Sequence, residues 1–232
     1  MRRTDAMCGL LFVAVLSFPV FADCQSEQHE ESRKCASEYS SPEKPATAVE
    51  RAIRSERRSF FPELRDVDVS VRTFRSDSDF FRSRFSLVRY FFLLHMKYYI
   101  EGNSTAFARG LPEDGLCAIV AHELSHIITL SRGNRIRRFG LIRLLSKKHT
   151  AVFERRADLA AIGRGYGEGL KSYRHWLYGH IPPDKVEMKR RNYFSPEEIE
   201  AMEKRLEADP TLLEKWAKHV PKNLAEIEAQ RE

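Results

Sequence analysis

Two histidines stand four residues apart with a glutamate beside the first, in the run Gly115-Leu116-Cys117-Ala118-Ile119-Val120-Ala121-His122-Glu123-Leu124-Ser125-His126-Ile127-Ile128. On a helix, residues at i and i+4 share a face, so the imidazoles of His122 and His126 can aim at one metal ion. Glu123 lies next to the first ligand, where its carboxylate can hold a metal-bound water and take its proton. That is the chemistry of hydrolysis by water activated on a divalent cation, and these residue types read as a zinc peptidase.

The surroundings of the motif sharpen this reading. Leu116, Ile119, Val120, Leu124, Ile127 and Ile128 make the stretch apolar on most sides, which predicts a buried helix. Ionisable groups are costly there unless something pairs with them. The bland account is two hydrogen-bonded core histidines; the functional one is a bound cation. A catalytic zinc needs a third protein ligand and an open position for water. Thr150 to Ile162 reads as a second helix, stopped by Gly163 and Gly165, and carries Glu154 and Asp158 on one face. One of the two can ligate the metal while the other accepts a ring N–H from a ligand histidine and fixes its tautomer. Alternatively, both pair with Arg155, Arg156 or other bases on a solvated face; downstream of H-E-x-x-H on a buried helix, ligation is the favoured reading.

H-E-x-x-H followed by E-x-x-A-D resembles the gluzincin metallopeptidases, in the branch that holds the CAAX prenyl endopeptidase, the mitochondrial inner-membrane stress peptidase and bacterial periplasmic zinc proteases. The likeness runs from about Thr105 to Ile162 and includes Thr105-Ala106-Phe107-Ala108, Ala118 to His126, and Phe153-Glu154-Arg155-Arg156-Ala157-Asp158. It implies that His122, His126 and Glu154 hold one zinc ion, that Glu123 is the general base, and that Asp158 supports a ligand histidine. The chain departs from the family pattern at Thr105, where asparagine is usual. It departs again at Arg109-Gly110-Leu111-Pro112-Glu113-Asp114, which replaces a longer glycine-containing hairpin.

These residues need elements to position them. A length of 232 residues supports one domain with a sizeable core. Residues 1–22 read as a secretory signal peptide: Arg2 and Arg3, an apolar run from Cys8 to Val20, then Val20-Phe21-Ala22 as a small-residue cleavage site. The apolar run is too short to span a bilayer comfortably. Residues 23–46 read as a polar tether, 47–190 as the zinc metallopeptidase domain and 191–232 as a helical C-terminal extension. Export permits a local Cys24–Cys35 disulfide; Cys117 reads as a small buried hydrophobe.

Within the domain, Thr47 to Arg58 reads as a short helix ended by Pro62. Asp66 to Phe74 alternates strictly and is the clearest strand, while Tyr90 to Ile100 has the aromatic and β-branched content of a buried strand or two. Zincins hold substrate as an added strand on a sheet edge above the metal helix. The candidates here are Tyr98-Tyr99-Ile100 and Ala106-Phe107-Ala108, the second preferred because it is nearer the motif. The basic amphipathic stretch 132–149 fits two placements, peripheral contact with an anionic membrane or packing on the domain, and bulky residues between two core helices favour the second. Gly163 to Gly169 follows a helix rather than a strand and lacks a Gly-Lys-Ser/Thr ending, so it reads as a flexible connector rather than a phosphate loop. Tyr166, Arg174, His175 and His180 are residue types able to stabilise an oxyanion. Ser195-Pro196-Glu197-Glu198 is a capping box opening a helix to about Ala208; Pro210 and Pro221 mark two more.

The sequence therefore predicts an α+β, compact zincin-like domain with a small sheet over the metal helix, plus C-terminal helices. Its expected activity is that of an exported, periplasmic or secreted zinc endopeptidase acting on protein or peptide substrates, with no nucleic-acid partner. Two other classes fit fewer residues. A proteolytically quiet zinc-binding chaperone or adaptor has no need of Glu123, and a membrane-surface protein acting through 132–149 would leave the motif accidental.

Overall fold

Helix α4 (Glu113–Arg132) is the element around which the others assemble, because its sequence offers no polar face to water. Every residue from Gly115 to Ile128 is buried. Helices of this kind are surrounded on all sides, and α4 contacts α1 (Pro45–Ser59), β2 (Phe81–Phe85), β3 (Lys97–Asn103), α5 (Lys147–Ile162) and α6 (Gly167–His180). The computed structural model describes residues 45–132 and 147–229. The signal-peptide reading, nearly all of the tether with Cys24 and Cys35, and residues 133–146 of the basic stretch lie outside them. Across the described residues the architecture is α+β and mostly helical, with one three-stranded mixed sheet.

The sheet order is β1-β3-β2, with β1 (Asp68–Phe74) parallel to the central β3 and β2 antiparallel to it. β1 forms where strict alternation predicted a strand. Both expected edge strands are corrected. Tyr98 to Ile100 sits in the central strand, bonded on both sides, and Ala106 to Ala108 lies in the short helix α3 (Ser104–Ala108). Asn103 starts that helix: its side chain accepts from the Thr105 N–H and hydroxyl and donates to the Ser76 and Asp79 carbonyls. The strand expected over Tyr90 to Ile100 forms only from Lys97. Before it come α2 (Leu87–Phe91), capped by Ser86, and a turn in which Leu93 adopts φ 57°.

The glycine-rich connector is also corrected. Gly165 turns the chain with φ 84°, but Gly167 and Gly169 already belong to α6. A Cβ on Gly169 would lie 2.5 Å from the Asp114 carbonyl oxygen, and one on Gly115 would lie 3.3 Å from Tyr173. The glycines thus let α4 and α6 approach closely, a packing requirement rather than a flexible one.

The C-terminal helices share this core. The capping box at Ser195 forms as predicted and opens α8 (Pro196–Ala208), which packs on α6 and on α10 (Leu224–Ala229). Helices α7 (Pro183–Asn192) and α9 (Leu212–Lys218) pack on α5. Phe194, Ile199, Met202, Trp216 and Ile227 are fully buried in the same cluster as the α4 side chains. Cys117 is buried as expected.

Candidate metal centre

Helices α4 and α5 bring three side chains to one point. His126 Nε2 and His122 Nε2 lie 3.1 Å apart, and Glu154 Oε2 lies 3.0 Å from the first and 3.3 Å from the second. Among the described residues, this is the group of histidine, cysteine or carboxylate side chains able to hold a metal ion. Tetrahedral zinc with bonds of about 2.0–2.1 Å spaces its ligand atoms about 3.3 Å apart. The donor set, two imidazoles and one carboxylate, and its spacing both fit such an ion.

Each donor is oriented by its neighbours. Asp158 is fully buried, and its two oxygens are both engaged. Oδ1 accepts from His122 Nδ1 at 2.7 Å and from Arg174 Nη2 at 2.8 Å, and Oδ2 accepts from the Phe194 backbone N–H at 3.0 Å. Burial opposes the charge on Asp158, but Arg174 and His122 outweigh it and hold its pKa below the ordinary carboxylate value. A charged carboxylate can only accept, so His122 Nδ1 carries the hydrogen and Nε2 presents its lone pair to the metal position. The Phe153 ring stacks on His126 at 4.2 Å between centroids, fixing the second imidazole.

The charges around the point balance each other without a metal. Burial lowers the pKa of His122, but Asp158 and Glu154 more than compensate and raise it to about 10. Burial likewise raises Glu154, and the two histidines bring it well below the usual carboxylate range. In the metal-free protein, a proton on His122 occupies the place a cation would take, so metal binding must release it. Glu123 differs from its neighbours. Burial pushes its pKa up against the pull of His122 and His126, Ser83 on β2 reaches it, and its Oε2 is a buried acceptor with no protein partner. Such an orphan beside two imidazoles suits a hydrogen-bonded reactant or water.

Each residue type singled out as able to stabilise an oxyanion is exposed or otherwise engaged. Tyr166 is buried and bonded to Glu56. Arg174 is committed to Asp158. His175 is exposed, and His180 stacks on Trp176. The structure adds residues that sequence patterns did not single out. Tyr193 places its ring 5.8 Å from His122 and 4.6 Å from the Arg174 guanidinium. Burial, and then the Glu154 carboxylate, raise its pKa well above that of a free phenol, so it stays a neutral hydroxyl donor. Ser83 and Phe194 reach the site from β2 and from the start of α8. No local motif marks these three; they arrive by tertiary packing. Comparison of the chain with protein-family models, curated proteins and solved structures gives no match.

Proposed function

We propose that the chain is a zinc-dependent endopeptidase of gluzincin type, exported from the cytoplasm. The observation that carries this reading is the convergence of His122 Nε2, His126 Nε2 and Glu154 Oε2 within 3.0–3.3 Å, with the unpartnered Glu123 Oε2 beside them. A zinc ion held there would supply Lewis acidity to a peptide carbonyl and lower the pKa of water at the open position.

The chain's own residues do the rest. Glu123 accepts the proton of the attacking water and delivers it to the leaving amine. Its raised pKa suits both directions of that transfer. Asp158 holds His122 in the tautomer that presents Nε2, and Arg174 and the Phe194 N–H hold Asp158. Tyr193, a neutral donor whose ring lies 5.8 Å from that of His122, is assigned to the oxyanion. An extended substrate would add to the outer edge of β2, which runs antiparallel to β3 and brings Ser83 to Glu123.

Metal analysis of the purified chain is expected to give about one zinc per chain. Glu123→Gln should retain that zinc and lose peptide cleavage. Absence of bound zinc, or cleavage that survives Glu123→Gln, would overturn the proposal.

A further inference from the structure

The strongest feature outside the metal centre is the knob formed by α2 and the turn after it. Leu87 is 60 % exposed, Val88 64 %, Phe91 65 %, Phe92 73 % and Leu93 73 %. Scattered exposed apolar residues need no explanation, but five large ones within seven positions form a contiguous patch, and such patches mark interaction surfaces. Folding does not account for them. Leu93 holds φ 57°, a conformation that glycine or asparagine adopts at lower cost, so the backbone gives no reason for a leucine there.

The charge around the knob identifies its partner. The knob joins the end of β2 to the start of β3, and the register places the start of β1 at the same end of the sheet, with Phe85 opposite Tyr98 and Asp68 opposite Lys97. His95 is exposed beside the knob, as is Arg84, which is paired with Glu101 at 3.3 Å and so is partly used within the sheet. Next to the start of β1 lies a groove of ≈ 650 Å³ lined by Arg54, Arg57, Arg58 and Arg65 from α1 and the loop after it. Arg57 is used within the fold, donating to the Leu64, Arg65 and Val67 carbonyls, while Arg54, Arg58 and Arg65 are exposed. The acids at this end are fewer: Glu50 lines the groove, Asp66 is exposed, and Asp68 lies 3.8 Å from Lys97.

We propose that this end of the sheet docks on the anionic surface of a lipid bilayer, the knob entering between headgroups and the surrounding arginines meeting lipid phosphates. Apolar insertion beside a basic rim is the arrangement that binds such a surface. A second copy of the chain fits less well, because a two-fold contact through the knob would set one basic rim against another. Leu87 follows Ser83 by four residues, at most about 14 Å of chain. A docked molecule would therefore hold β2 and Glu123 close to the bilayer. If the peptidase reading is right, its substrates are then peptide segments at or near the membrane surface; the docking itself does not depend on that reading.

Phe92→Trp in the full chain provides a local reporter, since Trp176 and Trp216 are buried. Its emission should shift to the blue, and be quenched by brominated acyl chains, with vesicles of phosphatidylcholine and phosphatidylglycerol but not of phosphatidylcholine alone. Phe91→Ser/Phe92→Ser, at exposed positions that leave the core intact, should weaken vesicle partitioning by about tenfold or more. Arg58→Glu/Arg65→Glu, at exposed positions of the groove, should weaken it on the order of tenfold and leave zinc content unchanged. Unaltered Phe92→Trp emission with anionic vesicles would overturn the proposal. So would a blue shift that appears without lipid and grows with protein concentration, which would make the knob a self-association surface.

Discussion

Asp158 shows how much of the candidate chemistry rests on residues that would never touch a substrate. Its carboxylate serves His122, Arg174 and the Phe194 N–H at once. Asp158→Asn should leave the buried Arg174 uncompensated and cost about 3–5 kcal/mol in denaturant unfolding, with about 10–100-fold weaker zinc binding by chelator competition. Wild-type stability and zinc affinity in that variant would remove Asp158 from the account. His122 gives a pH signature in the metal-free protein. Its folded pKa is raised from 6.5 to about 10, so its contribution to stability is complete below about 6.5 and is lost as pH rises through about 10. Thermal unfolding should show this decline in the metal-free wild type and a weaker one in His122→Asn. The zinc-loaded protein should not show it, because its imidazoles are already deprotonated. The donors were legible in the sequence because helical spacing alone places His122 with His126 and Glu154 with Asp158. Tyr193 and Ser83 were not, since nothing local links a residue after α7 or on β2 to a helix far from it in the chain.

Elements reveal where local reasoning loses to packing. An apolar run around H-E-x-x-H found α4, alternation found β1, and the capping box at Ser195 found α8, because each signal comes from neighbours along the chain. The stretch Tyr90 to Ile100 misled because aromatic and aliphatic content predicts burial, whereas Phe91, Phe92 and Leu93 face outward. The run Gly163 to Gly169 misled for a related reason. Glycine signals flexibility locally, but here it removes side chains where α6 meets α4. Two substitutions separate these meanings. Gly169→Ala drives a Cβ to 2.5 Å from a backbone oxygen, while Gly115→Ala meets its neighbour at 3.3 Å. Gly169→Ala should cost about 1–3 kcal/mol, with Gly115→Ala distinctly milder; equal, negligible effects would mean the helices are not in close contact.

Across the described residues, one core extends from α1 to α10, so α4 is held by the C-terminal helices as well as by the sheet. Phe194 makes that connection chemical, because its N–H reaches Asp158 from the residue before the α8 capping box. If α4 and α5 build a zinc hydrolase, the most direct measurement pairs zinc content with cleavage of an unfolded protein substrate in wild type and Glu123→Gln. About one zinc is expected in both, and cleavage in the wild type alone. A zinc-free wild type, or cleavage undiminished by Glu123→Gln, would contradict it.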